Sequence, residues 1–407
     1  GTVLLAERLT PSDTAELDPD AVAGIATVTG GRTSHAAIIA RSLAIPAVVG
    51  VGEELHGIDD GEDVLVDGEA GTIVVDPGAD ERAAAGGVDA PVVDDRVATA
   101  DGAAIEVAAN VGGEAELDPA VARGADGIGL FRSEFLFLDR ESPPDESEQY
   151  EAITTALAAF PADRVVVRTL DIGGDKAVPY LDLPAESNPF LGQRGIRLSL
   201  GEHAGLFETQ LRALLRAAAS EHGDSLAVMF PMATQIEEVE AAIDRVKRVA
   251  SDLGDEGIDH AIPELGVMIE TPAASYLADA LADRLDFLSI GTNDLTQYVM
   301  AVDRENDAVA DYHDPLHPAV LRAIDRTTSA AGRDAWVGMC GEMAGDPALT
   351  ELLVGLGLDE LSMSAVTVPA VKEQVQQTTT DDAAALADAV LACETRAEVQ
   401  QVLDRRD

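Results

Sequence analysis

Residues 265–294 read LGVMIETPAASYLADALADRLDFLSIGTND. Two short apolar runs, Leu265–Glu270 and Phe287–Ile290, enclose a longer amphipathic stretch. Thr271 followed by Pro272 is a helix start. The threonine oxygen caps free N–H groups, and proline has φ preset and no N–H to satisfy. Strand, helix and strand in so short a span predict a βαβ unit with parallel strands. Both runs lead into chemistry, because Glu270 closes the first and the second passes into Asn293-Asp294.

The same alternation continues on either side. The runs Ile105–Val111, Gly127–Arg132, Val165–Leu170, Ala227–Met232, Trp336–Cys340 and Glu360–Met363 bring the total to eight. Near-continuous Val, Ile, Leu and Met suit parallel strands covered on both faces. Between them, Asp118-Pro119 and Asp346-Pro347 repeat the cap-then-proline signal. Thr234 with Glu237 reads as a capping box, and Ile236, Val239, Ile243, Val246, Val249 and Leu253 keep one helical face. Eight strand–helix alternations predict an α/β fold, a (β/α)8 TIM barrel, over residues 104–407. An open doubly wound sheet is the rival.

Residues 1–76 read as a small mixed α/β unit. Val3–Ala6, Gly24–Val28, Ala47–Val49 and Asp63–Asp76 are bounded β-branched runs, and Ser34–Leu43 reads as a helix. Residues 77–103, rich in Asp, Ala and Gly, have the composition of a linker.

The chain of 407 residues carries 27 Lys+Arg against 75 Asp+Glu, a formal charge of −48. That balance excludes a nucleic-acid or anionic-membrane partner, since phosphate backbones are bound by basic residues. With 46% hydrophobic residues the chain is nonetheless a folding one. Only three cations are lysines, Lys176, Lys247 and Lys372. Acidic excess with scarce lysine fits a salt-rich (halophilic) cytosol, where screening relieves self-repulsion. Cys340 and Cys393 offer no disulfide framework, so a cytoplasmic location is expected. No apolar run approaches a membrane span, so no membrane insertion is expected.

In a TIM barrel the site lies at the C-terminal ends of the strands. Arg132, Arg168, Arg194 and Arg304, with Lys176 in the loop Gly173–Lys176, form a candidate cationic clamp. Guanidinium forks match phosphate and carboxylate. Glu270 and Asp294 supply hard oxygen ligands, which suits Mg²⁺. Taken singly, a strand-end Arg is more often a surface ion pair, Asp294 a helix cap and Cys340 a small buried hydrophobe. Their convergence favours a small, multiply anionic substrate bound through a metal. Separately, Gly30–Ile38 (GGRTSHAAI) places His35 in the first turn of a helix. The helix dipole there disfavours imidazolium and stabilises a phosphoryl group placed on the ring. His35 is therefore a candidate nucleophile that carries phosphate.

Gly30–Gly50 resembles the phosphohistidine domain shared by phosphoenolpyruvate-using enzymes. RTLDIGGDKAVPY (168–180), NPFLGQRGIR (188–197), GTNDLTQY (291–298) and GMCGEM (338–343) resemble Enzyme I of the phosphoenolpyruvate:sugar phosphotransferase system. The resemblance spans essentially the whole chain. It implies that His35 is the phosphorylated histidine and that Glu270 and Asp294 bind Mg²⁺. It further implies that Arg132, Arg168, Arg304 and Asn293, assisted by Lys176 and Arg194, hold phosphoenolpyruvate. Cys340 becomes the acid that turns the enolate into pyruvate. The phosphoryl group would pass on to an HPr-like carrier, and the enzyme would be a homodimer joined through the barrel. The family's helical subdomain that docks HPr is not matched in this chain, so onward transfer is expected to be poor. The alternatives are the C-terminal part of a pyruvate phosphate dikinase or phosphoenolpyruvate synthase, and a non-catalytic phosphocarrier paralogue.

Overall fold

The computed structural model describes residues 2–7, 9, 22–30, 40, 45–58, 60–68, 71–78, 91–138, 140–173, 178, 180, 181, 183, 186–304, 306, 308–332 and 335–405. The chain divides into two compact units, Gly1–Pro91 with Ala301–His313, and Val92–Met300 with Asp314–Asp407.

In the smaller unit, β1 (Thr2–Ala6), β2 (Val22–Thr27) and β3 (Ala47–Val48) form a parallel sheet in that order. The Asp63–Asp76 run, expected as one strand, is a hairpin of β4 (Val64–Asp67) and β5 (Thr72–Val75), paired antiparallel. Gly68 and Gly71 break the run, and Gly71 takes a φ of 64° that a side chain would resist. The expected helix Ser34–Leu43 falls almost wholly outside the described residues.

In the larger unit, eight parallel strands close on themselves: β6 (Glu106–Val111), β7 (Gly127–Arg132), β8 (Arg164–Arg168), β9 (Leu226–Phe230), β10 (Glu264–Ile269), β11 (Phe287–Ile290), β12 (Trp336–Met339) and β13 (Glu360–Met363). Each pairs with its chain neighbours, and β13 pairs with β6 through Glu360↔Glu106 to Met363↔Ala109. Closure rules out the open doubly wound sheet. Every apolar run of the sequence reading corresponds to a strand, with ends shifted by no more than two residues.

Alternation along each strand splits the residues between the barrel interior and the helical layer. Val107, Ala109, Val165, Val167, Val337 and Met339 join the large outer core. Leu130, Val166, Ala227, Met229, Met268, Phe287 and Cys340 fill the interior. The inward phase is therefore Glu106-Ala108-Asn110 on β6, Arg164-Val166-Arg168 on β8, Glu264 to Glu270 on and after β10, and Trp336-Gly338-Cys340 on and after β12.

The caps follow the sequence in part. Thr271 accepts from Ala274 N–H at 3.2 Å, and Asp346 from Ala348 N–H at 3.0 Å. The helix Ile236–Glu256 has Gln235, not Thr234, at its N-cap, and Glu238 takes the part expected of Glu237. Glu238 Oε2 accepts from Gln235 N–H at 3.0 Å and Thr234 N–H at 2.8 Å, so one carboxylate serves two orphan donors. Asp118 is not a cap either. A 3₁₀ turn, Glu114–Glu116, runs directly into the helix Leu117–Ala122 and leaves no break for one.

Candidate active site

At the C-terminal rim of the barrel, β8 ends in Arg168, which is 7% exposed. One of its terminal nitrogens donates to Glu134 Oε1 at 2.5 Å and the other lies 3.1 Å from Asp171 Oδ2. Asp171 also receives a fork from Arg194, Nε to Oδ1 at 3.0 Å and NH2 to Oδ2 at 3.1 Å. The remaining Arg194 nitrogen lies 3.5 Å from Asp294 Oδ1. A chain of alternating charge results: Glu134, Arg168, Asp171, Arg194, Asp294. Burial works against charge on Arg168, but Glu134, Asp171 and Glu270 outweigh it and hold the guanidinium firmly protonated.

Glu270 follows β10 and is completely buried. Its Oε1 accepts from Met232 N–H at 2.5 Å, and Met232 adopts a left-handed φ of 59°. Its Oε2 has no hydrogen-bond partner. Burial first, then the charges of Asp171 and Asp294, push the Glu270 carboxyl up to about 8 against the pull of Arg168 and Arg194.

Cys340 follows β12, its N–H on Ile290 O at 3.0 Å. It packs among the apolar interior side chains, as a small hydrophobe would, yet Arg168 and Glu270 both act on it electrostatically. Burial raises the thiol to about 11, with the Ser289 hydroxyl and Arg168 pulling down and Glu270 and Glu360 pushing up. At neutral pH the group is therefore a thiol with a proton to give. Next to it, Gly341 approaches so closely that a Cβ there would lie 1.8 Å from Thr292 Oγ1. That contact locks the loop after β12 against the helix Thr292–Met300, which carries Asn293 and Asp294. Asn293 Oδ1 accepts from Glu342 N–H at 3.4 Å.

Arg132 ends β7 beside Arg168 in register, with its guanidinium 5.2 Å from the Phe135 ring and its buried Nε without a hydrogen-bond partner. Of the expected clamp, Arg168 and Arg194 are thus joined through Asp171, and Arg132 stands on the adjacent strand. Lys176 and His35 lie outside the described residues. Arg304 belongs to the segment Ala301–His313, grouped with the smaller unit. In that unit, a Cβ on Gly50 would meet the Gly30 carbonyl oxygen at 2.6 Å, so the two ends of the GGRTSH-to-AVVG motif require glycine to touch.

Two residues of the site, Glu134 and Asn110, escaped the sequence reading, whereas Asp171 stands just past the end of its apolar run, where polar residues are expected at the mouth, but without an assigned role. Asp171 supplies the carboxylate between Arg168 and Arg194, and Glu134 closes the chain beyond Arg168. Asn110 donates to the Cys340 carbonyl at 3.0 Å and accepts from the Ser362 hydroxyl at 2.7 Å, tying β6, β12 and β13 together at the rim. Its strand phase, two residues beyond Ala108 and four beyond Glu106, was the available signal.

Fold and rim together define a parallel β/α barrel whose C-terminal mouth carries a chain of alternating charges and buried polar atoms without partners. Residues 89–380 match the phosphoenolpyruvate-binding domain of phosphoenolpyruvate-utilising enzymes, and residues 1–71 match the mobile domain of those enzymes. A phosphoenolpyruvate-protein phosphotransferase of Haloferax volcanii is 66% identical, covering 99% of this chain and 72% of that protein. One from Bacillus sp. is 47% identical over 99% of this chain and 71% of its own length. A multiphosphoryl transfer protein of Rhodobacter capsulatus is 48% identical over 98% of this chain and 48% of its own length. Among solved structures, a citrate lyase from Burkholderia xenovorans gives a TM-score of 0.41 at 15% identity, covering 74% of this chain and 91% of that one. The chain belongs to the phosphoenolpyruvate-protein phosphotransferase family. It is a phosphoenolpyruvate-dependent phosphotransferase with a protein acceptor. Among the described residues no helix is long and apolar enough to cross a membrane.

Proposed function

We propose that phosphoenolpyruvate binds at the barrel rim and that His35 takes its phosphoryl group, releasing pyruvate. One observation carries this reading: buried polar atoms of both signs lack hydrogen-bond partners at the same rim. Arg132 Nε and Arg168 Nε are donors without acceptors, and Glu270 Oε2 is an acceptor without a donor. An anion accepts from the two guanidinium nitrogens, and a cation at Glu270 Oε2 takes the place of the proton that burial favours there.

Glu270 and Asp294 fit a divalent cation. Among the described residues no group of three or more His, Cys, Asp or Glu is arranged to hold a metal unaided. Mg²⁺ commonly takes only one or two carboxylates and completes its shell with substrate oxygens. When bound, Mg²⁺ neutralises charge on the phosphate and enolate oxygens.

The residues then divide the work. Arg132, Arg168 and Arg194, with Asn293, Lys176 and Arg304, bind the phosphate and carboxylate and draw charge from the transferring group. His35 attacks phosphorus with its neutral nitrogen as the P–O bond to the enol oxygen breaks. The electron pair stays on that oxygen as the enolate. Cys340 passes its proton to the methylene carbon, which yields pyruvate. Onward transfer goes to an HPr-like carrier for sugar uptake. The unit 1–76 serves as the carrier of His35, 77–103 as its connection and 104–407 as the binding and homodimerising barrel, in a cytoplasmic enzyme.

The test is incubation with labelled phosphoenolpyruvate and Mg²⁺, followed by assay of pyruvate and acid-labile protein phosphate. Stoichiometric label that disappears in His35→Ala, while that variant still binds phosphoenolpyruvate, is the expected result. Normal labelling of His35→Ala refutes the assignment. Labelling from ATP with an added nucleotide-binding domain favours a dikinase or synthase instead, and no labelling from either donor favours a non-catalytic carrier paralogue.

A further inference from the structure

We propose that Asp171 is a positioning residue for phosphoenolpyruvate binding, a single buried carboxylate that aims the guanidinium groups of Arg168 and Arg194 together. The inference rests on the reading that these arginines hold the substrate.

Asp171 is wholly buried, so water cannot replace it as a partner. It spends both oxygens on the two arginines: Oδ1 on Arg194 Nε at 3.0 Å, Oδ2 on Arg194 NH2 at 3.1 Å and close to Arg168 NH1 at 3.1 Å. A planar fork gripped at two points has one orientation. With Nε and NH2 of Arg194 taken by Asp171, its third nitrogen is turned to Asp294. With its terminal nitrogens facing Glu134 and Asp171, Arg168 keeps Nε without a partner. Asp171 therefore decides which donors are consumed by the protein and which stay open.

Charge gives the same answer. Glu134 and Asp294 stand at the two ends of the chain, Glu270 acts on both cations from further off, and among the described residues Asp171 is the carboxylate in direct contact with both. Removing its charge sets two buried guanidinium groups against each other, and they move apart. A displacement of about 1 Å is enough to degrade a preorganised anion site by orders of magnitude. Asp171 needs no contact with the substrate for this. Its sequence position, three residues after Arg168, puts it in the loop beyond β8, where the chain has left the strand and can turn a carboxylate back toward the strand end.

The experiment is calorimetric titration of the intact chain with phosphoenolpyruvate and Mg²⁺, with melting temperature measured in parallel. The variants are Asp171→Asn, Arg194→Lys, the double variant, and Arg168→Ala as control. Asp171→Asn is expected to weaken phosphoenolpyruvate binding at least about tenfold. Arg194→Lys, which keeps the charge and loses the fork, should weaken it comparably, and the double variant should be no worse than the weaker single one, because both break one interaction. Parent affinity in folded Asp171→Asn, or a lowered melting temperature alone, overturns the proposal, as do losses that multiply in the double variant. If Asp171→Asn does not fold, parent affinity in Arg194→Lys overturns it alone. Unchanged binding in Arg168→Ala as well would show that the reading of the rim fails, whereas loss in Arg168→Ala with none in Asp171→Asn rejects only the role of Asp171.

Discussion

At the N-terminal end of the barrel the inward positions of β6, β8, β10 and β12 are Glu106, Arg164, Glu264 and Trp336; at the other end the same alternate strands lead to Asn110, Arg168, Glu270 and Cys340. The lower four close on one another. Arg164 lies 3.3 Å from Glu106 and 3.9 Å from Glu264, and sits 3.9 Å above the Trp336 ring. Trp336 stacks on Phe287 at 4.4 Å and donates to Glu264 at 3.4 Å. Nearby, the wholly buried Lys372 finds three oxygens: Asp126 Oδ1 at 2.6 Å and the carbonyls of Val93 and Asp95, each at 3.0 Å. Carboxylates here outnumber what Arg164 can serve. Burial first, then the neighbouring Glu106, push Glu360 up to about 8, so at pH 7 a proton neutralises it. The upper end instead leaves guanidinium nitrogens open. Burial raises Glu270 at the rim to about 8 as well, so each end holds one carboxyl that favours its proton, and the difference lies in the open guanidinium nitrogens that Arg132 and Arg168 present at the rim. This is the division between stability and function expected of the fold.

The sharpest way to break the contrast is Cys340→Ala. Loss of a positioned general acid should slow pyruvate formation by about 10²–10⁴-fold while the fold and phosphoenolpyruvate binding persist. A coupled pyruvate assay beside calorimetry checks this; wild-type turnover returns Cys340 to the role of a buried hydrophobe. At the opposite end, Lys372→Met strands Asp126 and two carbonyls, and unfolding free energy should fall by about 3–5 kcal/mol. Denaturant titration reads that loss, and the affinity of the folded fraction for phosphoenolpyruvate should not move.

The smallest expected effect sharpens the comparison through pH. Glu360 has a folded pKa above its unfolded value of 4.5. Between those values the native state holds more protons than the unfolded chain, so its stabilising contribution is complete below about pH 4.5 and is lost as pH rises through about 8. Glu360→Gln should remove that loss and raise stability at pH 8 by on the order of 1–3 kcal/mol, with little change at pH 4.5. Melting curves at the two pH values decide it; equal stability of both proteins at pH 8 would show that Glu360 is not held protonated by the fold.

Legibility differed between strands and contacts. The eight runs were readable because strands covered on both faces need unbroken apolar sequence, whichever fold they enter. Strand-end residues such as Arg168, Glu270 and Cys340 were readable because polarity interrupts that sequence abruptly. The cap of the helix at Ile236 was misplaced by one residue, since Glu237 and Glu238 are equivalent until backbone geometry chooses between them. Glu134 and Asp171 were not readable as partners, because a carboxylate near an arginine in sequence is commonplace and only tertiary distances single these out.

The amino-acid sequence by itself determined the alternation of strand and helix, the count of eight strands and the residue types available at the strand ends, since periodicity and breaks in apolarity are local properties, whereas closure came from the pairing of β13 with β6. Tertiary structure alone decided which of those residues meet. That Asp171 bridges two arginines, that Asn110 holds the carbonyl of Cys340 and that Glu270 keeps one oxygen without a partner all follow from strand register and burial, which bring together residues far apart in the chain.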